Sequence, residues 1–249
     1  MERVLLIKEQ LLEKINMKKL PCHIAVIMDG NGRWAVQRGQ NRFAGHRAGA
    51  EALRKTVEEA RRLGISYLTV FAFSTENWSR PKEEVSLLMR LLAEYLDKET
   101  ANLLDKDIRL NFIGDISALD EKLVKQMQQS MTKTAHCEHM TLTIAVNYGG
   151  RQDICQAARR LAEEVQAGNL QPADIDEKLF ADMLFTKDMP EVDLLLRTSG
   201  EKRISNFLLW QTAYAEIIIQ DIFWPDFDEN ALLDAVLEYQ QRSRRFGKI

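Results

Sequence analysis

Six short, nearly uninterrupted apolar runs alternate with longer segments of helical periodicity, and this alternation constrains the fold more than any other feature. The runs are residues 23–29, 65–73, 108–114, 141–148, 192–198 and 216–222. Because most are apolar throughout, they predict strands that are covered on both faces, as in a parallel sheet. The helical patterns are residues 44–63, 82–105, 117–134, 151–167, 174–185 and 228–245. Asp174 and Glu177 predict a capping box at the start of the fifth helix. The sequence therefore predicts one α/β domain over residues 1–249, with a mainly parallel central sheet of about six strands flanked by helices.

The composition argues against several classes of protein. The 249 residues carry 34 Lys and Arg against 37 Asp and Glu, a formal net charge of −3, so we expect no nucleic-acid partner. No stretch reaches the roughly 18–20 apolar residues that span a bilayer. The three cysteines, Cys22, Cys137 and Cys155, show no CxxC spacing, which is typical of a reduced, cytoplasmic protein.

Residues 1–20 predict an amphipathic helix rather than a signal peptide, because charged residues interrupt the apolar pattern. Val4, Ile7, Leu11 and Ile15 share one face of this helix. Two interpretations stay open. The face packs on its own domain, or it makes a peripheral contact with the inner face of a membrane where a lipid product leaves.

Polar side chains and glycines follow four of the predicted strands, at the point where each strand ends. They occupy residues 29–34, 74–80, 147–151 and 197–203. In open α/β sheets, ligands bind beyond the carboxyl ends of the strands. We therefore expect one binding site at this edge of the sheet.

Several arginines near these strand ends point to a phosphate ligand. They are Arg33, Arg42, Arg80, Arg197 and Arg203. Guanidinium groups bind phosphate oxygens bidentately, so their convergence would favour a diphosphate. The alternative is that they are dispersed over the surface. Gly30 and Gly32 would let backbone N–H groups approach the anion. An acid such as Asp29 beside bound phosphates indicates a divalent cation, Mg²⁺ in particular.

Common nucleotide-binding and catalytic motifs are absent from the sequence. It contains no GxGxxG after a strand, no GxxxxGK[ST] and no GxSxG. Residues 136–139 (HCEH) look like a metal cluster, but their spacing matches no usual zinc site, and a polar loop is the preferred interpretation.

Six motifs, in order from about residue 21 to the C-terminus, identify a family resemblance. They are HIAVIMDGNGRWA, GHRAG, FAFSTENWSRP, NYGGR, DLLLRTSGEKRISNFLLWQTAYAE and FWPDF. Together they resemble the motifs of the cis-prenyltransferases, closest to the bacterial isoprenyl transferases. The aspartate-rich DDxxD pair of the trans-prenyltransferases is absent.

The resemblance implies an enzyme that condenses isopentenyl diphosphate onto an allylic diphosphate such as farnesyl diphosphate. Its product would be a long-chain polyprenyl diphosphate, undecaprenyl diphosphate as the precursor of a cell-wall carrier lipid. Mg²⁺ would be the cofactor, and the protein would be a cytoplasmic homodimer. Three alternatives stay open: a non-catalytic prenyltransferase-like partner subunit, a binding module without turnover, and a short-chain cis-prenyl diphosphate synthase.

The resemblance also assigns roles to individual residues. The allylic diphosphate would lie on Asp29, Gly30, Asn31, Gly32, Arg33, Trp34, Arg42 and His46. The isopentenyl diphosphate would lie on Arg197, Arg203, Ile204 and Ser205. Between the two substrates would lie Ser74, Thr75, Glu76, Asn77, Trp78 and Arg80. Asp29 and Glu216 would hold Mg²⁺, and Arg245 in the basic tail 242–249 would reach the site of a partner subunit.

The catalytic residues implied by the resemblance are Asp29 and Asn77. A neutral amide is a poor proton acceptor, so we expect Asn77 to position substrate or a relay while a diphosphate oxygen takes the proton. Asp29, Trp34 and Trp78 each have a simpler, purely structural alternative. Asp29 would cap the following helix, and Trp34 and Trp78 would be core aromatics.

A growing polyprenyl chain requires an apolar tunnel. The helical segment that contains Val85, Leu88, Leu92 and Leu96 is a candidate lining, and small Ala72 leaves room at its start. These side chains are equally suited to an ordinary core.

Overall fold

All six apolar runs form strands in the computed structural model, which describes the backbone of residues 2–242 and the side chains of residues 8–242. The strands are β1 (His23–Ile27), β2 (Tyr67–Ser74), β3 (Ile108–Ile113), β4 (Met140–Tyr148), β5 (Leu194–Arg197) and β6 (Glu216–Ile219). The helices are α1 (Glu2–Lys14), α2 (Asn31–Gln37), α3 (Arg42–Leu63), α4 (Lys82–Asp105), α5 (Glu121–Thr134), α6 (Gly150–Gln166), α7 (Glu177–Ala181) and α8 (Glu229–Gln241). Within this described part, no helix is both long and apolar enough to cross a membrane.

The strands form one fully parallel sheet in the order β3-β4-β2-β1-β5-β6. Ile27 at the end of β1 lies beside Arg197 at the end of β5, and Ser74 at the end of β2 lies beside Tyr148 at the end of β4. The four central strands therefore finish together at one edge. This confirms the predicted α/β fold and brings the loops after these strands to a common place.

Both faces of the sheet are covered, which explains the uninterrupted apolar runs. In β1, Ile24 and Val26 belong to the larger core under α3, α4, α5 and α8, whereas Ala25 and Ile27 belong to the opposite core with Phe207. Successive strand residues point to opposite faces, so a strand buried on both sides needs an apolar residue at every position.

Two local predictions are wrong. The simpler role of Asp29 as the cap of the following helix does not hold, because α2 begins at Asn31, has Gly30 at its N-cap position and has no side-chain cap; this helix carries Arg33. The predicted capping box of Asp174 and Glu177 does not form at α7. Asp176 caps that helix instead, because its carboxylate accepts from the Leu179 N–H at 2.8 Å, and α7 extends only to Ala181. The carboxylate of Asp174 accepts from the N–H of Gln171 in a preceding turn.

The N-terminal helix packs on its own domain through the residues whose side chains are described. Ile15 is buried, Leu11 packs against the larger core, and Lys8 makes an ion pair of 2.9 Å with buried Glu59 on α3. The side chains of Val4 and Ile7 lie outside the described residues. The described half of the apolar face is therefore covered by protein, in agreement with the packing interpretation.

Candidate active site

A cleft of about 810 Å³ opens at the carboxyl edge of the sheet, between the sheet and helices α3 and α4. Its polar lining residues are Asp29, Asn31, Arg33, Arg42, His46, Ser74, Glu76, Asn77, Arg80, Arg197, Arg203, Ser205 and Asn206. Its apolar lining residues include Leu53, Phe71, Ala72, Leu88, Met89, Leu91, Leu92, Tyr95, Ile144 and Val146. The five predicted arginines thus converge on one cleft that has an ionic mouth and an apolar interior.

Asp29 lies directly after β1 and pairs with two arginines. Its Oδ2 accepts from Arg197 Nη2 at 2.8 Å, and its Oδ1 accepts from Arg33 Nη2 at 3.2 Å. The Thr198 hydroxyl accepts from the Asp29 N–H and donates to the Asp29 carbonyl, which fixes the backbone of this residue. Burial raises the pKa of the Asp29 carboxyl, but the hydrogen bond and charge of Arg197 and the charge of Arg33 outweigh it, so the pKa lies below its usual value. Asp29 is therefore ionised at neutral pH.

Arg197 is a buried cation, with only 5% of its side chain exposed. Besides Asp29 it donates from Nη1 to Ser205 Oγ at 2.7 Å and to the carbonyl of Arg203. Its Nε is buried and has no hydrogen-bond partner in the described structure. A buried guanidinium with one neutralising carboxylate and a donor left over is suited to hold an additional anion.

Glu201 organises the outer arginines, and the sequence analysis missed it. Its carboxylate accepts from Arg33 Nη1 at 2.9 Å and from Arg203 Nη1. Arg33 also donates to Ser199 Oγ at 2.6 Å. These contacts hold two exposed cations at the mouth of the cleft, next to the Asp29–Arg197 pair.

A second carboxylate, Glu84, organises the opposite wall of the mouth and was also missed. It is buried on the first turn of α4, and its Oε1 lies 2.9 Å from Arg80 Nη1, 3.3 Å from Arg42 Nη2 and 3.5 Å from His46 Nε2. Burial raises the pKa of Glu84, but the charges of Arg42 and Arg80 outweigh it and the pKa is lowered. The sequence signal was the i,i+4 spacing from Arg80, which is too common to single out one glutamate.

His46 is neutral in this setting. Burial lowers its pKa, the charge of Glu84 opposes this, and the charges of Arg80 and Arg42 lower it further. Its Nε2 is buried and makes no hydrogen bond that meets the usual geometry in the described structure. The ring is therefore a neutral, incompletely paired group that faces the cleft.

Gly30 is required by the local geometry. Its φ of +102° lies in the left-handed region, and a Cβ atom there would lie 2.6 Å from the Phe223 ring. Gly32, also predicted to admit an anion, has Arg42 as its neighbour, because a Cβ atom would lie 3.1 Å from the guanidinium carbon. Both glycines line the cleft.

Asn77 lines the cleft, and its amide oxygen is already used. Its Oδ1 accepts from the Ser74 N–H at 3.1 Å, within a turn that follows β2. The oxygen that would have to accept a proton is therefore held by the backbone. This geometry favours a positioning role over a role as base.

Four predicted substrate residues do not line the cleft: Trp34, Thr75, Trp78 and Ile204. The Trp34 indole N–H donates to Asp226 Oδ1 at 2.7 Å and its ring stacks under Arg38, whereas the Trp78 indole N–H donates to Asn147 Oδ1 at 2.8 Å. Both indoles therefore fix the positions of loops. Their assignment to substrate contact is not supported by this geometry, because each ring is directed at a neighbouring element.

Glu216 does not join Asp29. It is the first residue of β6 and pairs with Leu194, the first residue of β5, so it lies at the amino edge of the sheet, opposite to the cleft. Its carboxylate lies 3.7 Å from Arg242 Nη1. Within a single chain Glu216 therefore does not share the cleft with Asp29, and its metal role stays a prediction. Arg245 lies outside the described residues.

Part of the apolar lining that was predicted for a product tunnel faces the cleft. Ala72, Leu88 and Leu92 line the apolar interior of the cleft. Val85 and Leu96 do not, because they point into the larger core and are almost fully buried there. Helix α4 thus presents one stripe to the cleft and an adjacent stripe to the core.

A magnesium ion fits the mouth of the cleft only if the substrate supplies some of its ligands. The described residues contain no group of three or more His, Cys, Asp or Glu side chains that could hold a metal alone. Asp29 supplies an ionised carboxylate, and Mg²⁺ is commonly held by one or two carboxylates together with substrate phosphates and water. The donor set therefore fits a cation that arrives with a diphosphate.

Comparison with known proteins shows the family to which this chain belongs. The family model described as "Putative undecaprenyl diphosphate synthase" matches residues 27–247. A farnesyl-diphosphate-specific ditrans,polycis-undecaprenyl-diphosphate synthase of Aliivibrio fischeri is 52% identical over 235 residues, which cover 94% of this chain and 91% of the relative. An isoprenyl transferase of Chlorobaculum tepidum is 52% identical over 229 residues, covering 92% and 86%.

Two solved structures resemble the fold as a whole. Lavandulyl diphosphate synthase from Lavandula x intermedia, in complex with dimethylallyl diphosphate, superposes with a TM-score of 0.90 at 39% identity and covers 92% of this chain and 99% of that one. A "probable undecaprenyl diphosphate synthase" from Campylobacter jejuni gives 0.77 at 34% identity, covering 94% and 100%. From its sequence, its fold and the cleft at the carboxyl edge of its sheet, the chain belongs to the undecaprenyl diphosphate synthase family of cis-prenyltransferases.

Proposed function

We propose that this chain is a Mg²⁺-dependent cis-prenyltransferase that condenses isopentenyl diphosphate onto farnesyl diphosphate and elongates it to undecaprenyl diphosphate. One observation carries the proposal: arginines line two walls of a cleft mouth, an ionised Asp29 lies on one of these walls, and the same cleft continues inward as an apolar cavity. The mouth suits two diphosphates, and the interior suits a growing hydrocarbon chain. The names of the relatives supply the specific substrate and product.

Each condensation requires that charge on a departing diphosphate be stabilised. The bond between the allylic carbon and its diphosphate oxygen breaks, and that carbon bonds to the terminal alkene carbon of isopentenyl diphosphate. The positive charge then lies on C3 of the isopentenyl unit, a proton leaves C2 so that the C2–C3 double bond forms, and a diphosphate oxygen accepts that proton. Arg33, Arg42 and Arg80 supply fixed positive charge at the mouth, where it stabilises the departing group. Asp29 would hold Mg²⁺, which when bound neutralises diphosphate charge.

Arg197, Arg203 and Ser205 form the part of the mouth that we assign to isopentenyl diphosphate. They lie together through the contacts of Arg197 with Ser205 Oγ and the Arg203 carbonyl. Binding both substrates in one cleft supplies the proximity that a bimolecular reaction lacks. Asn77, held by the Ser74 N–H, positions groups between the two substrates.

The assembly is part of the same proposal. The chain forms a cytoplasmic homodimer, and Arg245 in the tail 242–249 reaches the site of the partner subunit. Support comes from β6, an edge strand whose Ile217 is 45% exposed, with Tyr214 63% exposed beside it. Apolar edge strands are normally covered, because an open edge invites pairing with another chain. Glu216 lies on the same strand, so a metal role for it would require a second chain. Sedimentation of the full chain tests the oligomeric state.

The decisive experiment is incubation with farnesyl diphosphate, labelled isopentenyl diphosphate and Mg²⁺, followed by sizing of the products. We expect a ladder that ends at a long polyprenyl diphosphate and is lost in EDTA. A product that stops after one or two additions would identify a short-chain synthase instead. A folded chain that incorporates no label would contradict the enzyme and favour a non-catalytic partner subunit.

A further inference from the structure

The loop that carries Arg203 and Ser205 has an unusual backbone. Ser205, Asn206 and Leu208 have φ angles of +48°, +63° and +45°, all in the left-handed region. Residues other than glycine rarely adopt this conformation, and it persists only where neighbouring structure holds it. The contacts that hold this loop therefore decide where Arg203 and Ser205 lie.

The Asn206 side chain joins this loop to two others. Its Oδ1 accepts from the Arg151 N–H at 2.9 Å, at the start of α6. Its Nδ2 donates to Glu76 Oε1 at 2.9 Å and to Gln152 Oε1 at 3.2 Å. A backbone donor on one side and a carboxylate on the other leave the amide one orientation. One side chain thus ties the loop after β5 to the loops after β2 and β4.

The two glycines of the NYGGR motif form the seat for Asn206. A Cβ atom at Gly149 would lie 2.2 Å from Gln152 Oε1 and 2.7 Å from Asn206 Nδ2, and one at Gly150 would lie 2.6 Å from Leu209 Cγ and 3.1 Å from the Asn206 carbonyl oxygen. That carbonyl accepts from the Gly150 N–H at 2.7 Å. Side chains at these positions would push the loop away. The glycines of the motif are therefore explained by the approach of a protein loop.

Displacement of the loop would reach the buried cation. Arg197 Nη1 donates to Ser205 Oγ at 2.7 Å and to the Arg203 carbonyl, both on residues just before Asn206. By contrast, Arg42, Arg80 and His46 are held by Glu84 on the other wall and share no hydrogen bond with this loop among the described residues. A change at Asn206 should thus affect one half of the mouth.

We propose that Asn206 is a positioning residue for the isopentenyl diphosphate pocket. Its hydrogen bonds to the NYGGR segment and to Glu76 hold the Arg203–Ser205 segment in place before the substrate binds. This rests on the proposed function, which assigns that pocket to isopentenyl diphosphate. Asn206 lines the cleft, but its side-chain atoms are engaged by the protein, so it acts through Ser205, Arg203 and Arg197.

The test is Asn206→Asp, which keeps the shape and tolerates the left-handed backbone but replaces a donor by a carboxylate facing Glu76. Losing hydrogen bonds to a charged partner and adding a like charge should raise the isopentenyl diphosphate KM about 10- to 100-fold. The KM for the allylic diphosphate should rise several-fold less, since Arg42 and Arg80 lie on the other wall and only Arg33 is linked to the loop, through the Glu201 carboxylate that it shares with Arg203. Asn206→Gly adopts the same φ without strain, so it reports loss of the side chain alone.

A matched control and a rescue separate positioning from general damage. Asn169→Asp makes the same change where Asn169 Nδ2 donates to Glu164 on the surface, and it should leave both KM values unchanged. In the double variant Glu76→Gln with Asn206→Asp, the amide at position 76 can donate to the carboxylate at position 206. Its isopentenyl diphosphate KM should therefore return to near that of Glu76→Gln alone. Gln152 does not distinguish asparagine from aspartate at position 206. Its amide group can turn, so that it accepts from the asparagine or donates to the aspartate.

The outcomes are distinct for the two proposals. Equal rises in both KM values, a loss confined to kcat, or no change in Asn206→Asp would overturn the positioning role while the enzyme assignment stands. If the wild-type chain incorporates no label, the proposed function fails, and calorimetric binding of isopentenyl diphosphate then decides. Weaker binding to Asn206→Asp than to wild type supports the role of the loop, whereas equal binding or no binding to either overturns it.

Discussion

Replacing Asp29 by asparagine should lower both stability and activity, because Asp29 is the counter-ion of a buried arginine. The substitution keeps the shape and one acceptor oxygen but removes the charge that faces Arg197 at 2.8 Å. Arg197 makes its other side-chain contacts, to Ser205 and the Arg203 carbonyl, with neutral oxygens. The variant thus leaves a cation that is 5% exposed without a neutralising partner in the described part of the chain.

The size of the effect follows from the burial of the pair. Breaking a fully buried ion pair costs about 3–5 kcal/mol. Asp29 is 28% exposed and asparagine still accepts one hydrogen bond, so we expect about 2 kcal/mol at neutral pH. For a chain of this length that corresponds to a fall in Tm of about 4–8 °C. Loss of the carboxylate that would hold Mg²⁺ should lower kcat by about 100-fold or more.

The difference in the free energy of unfolding between wild type and Asp29→Asn depends on pH in a defined direction. The pKa of Asp29 is lowered in the folded chain. Its contribution is therefore fully present above the unfolded pKa, about 3.9, and is lost as the pH falls through the folded value. The stability gap between wild type and Asp29→Asn should narrow only below about pH 4.

Thermal unfolding followed by circular dichroism, with label incorporation on the same samples, checks the prediction. Asp226→Asn is the matched control, because Asp226 pairs with Arg38 at 3.1 Å where both side chains are at least 40% exposed. Such a pair contributes about 0–1 kcal/mol, so the control should melt within about 2–3 °C of wild type. An Asp29→Asn chain that unfolds at the wild-type temperature would refute the counter-ion argument, whatever its activity.

Three further predictions concern the cleft and the helices beside it. Ala72→Leu adds bulk where Ala72 lines the apolar interior, so product sizing should show shorter chains, and an unchanged ladder would contradict the tunnel. Gly45→Ala would place a Cβ atom 1.9 Å from the Asn31 carbonyl oxygen, so α2 must shift; we expect a loss of more than about 2 kcal/mol in urea unfolding, and wild-type stability would refute the close contact. Trp34→Phe removes the hydrogen bond to Asp226, so stability should fall by about 1 kcal/mol while both KM values stay within about threefold; a large rise in either would restore Trp34 to the substrate site.

The sequence alone determined the fold and the edge of the sheet at which the site lies. Strands covered on both faces need apolar residues throughout, so β1, β2, β4 and β5 were visible as uninterrupted runs. In a parallel sheet the carboxyl ends meet, and Asp29, Ser74 and Arg197 were therefore expected together. The same rule could have placed Glu216 at the far edge, because it is the first residue of its strand. The family resemblance outweighed that signal.

Only the tertiary structure decided which side chains face one another. Glu84 and Glu201 hold the arginines of the mouth, and Asn206 holds the loop of Ser205. The i,i+4 spacing of Glu84 from Arg80 is too common to identify it, and the other two residues have no spacing signal. Trp34 lies within a phosphate-binding motif but is directed at Asp226. The physical reason is that the strand pattern fixes where a loop begins, to within a residue or two. The direction of each side chain depends on helix rotation, left-handed residues and ion pairs between segments far apart in the chain, and these are settled only when the elements pack.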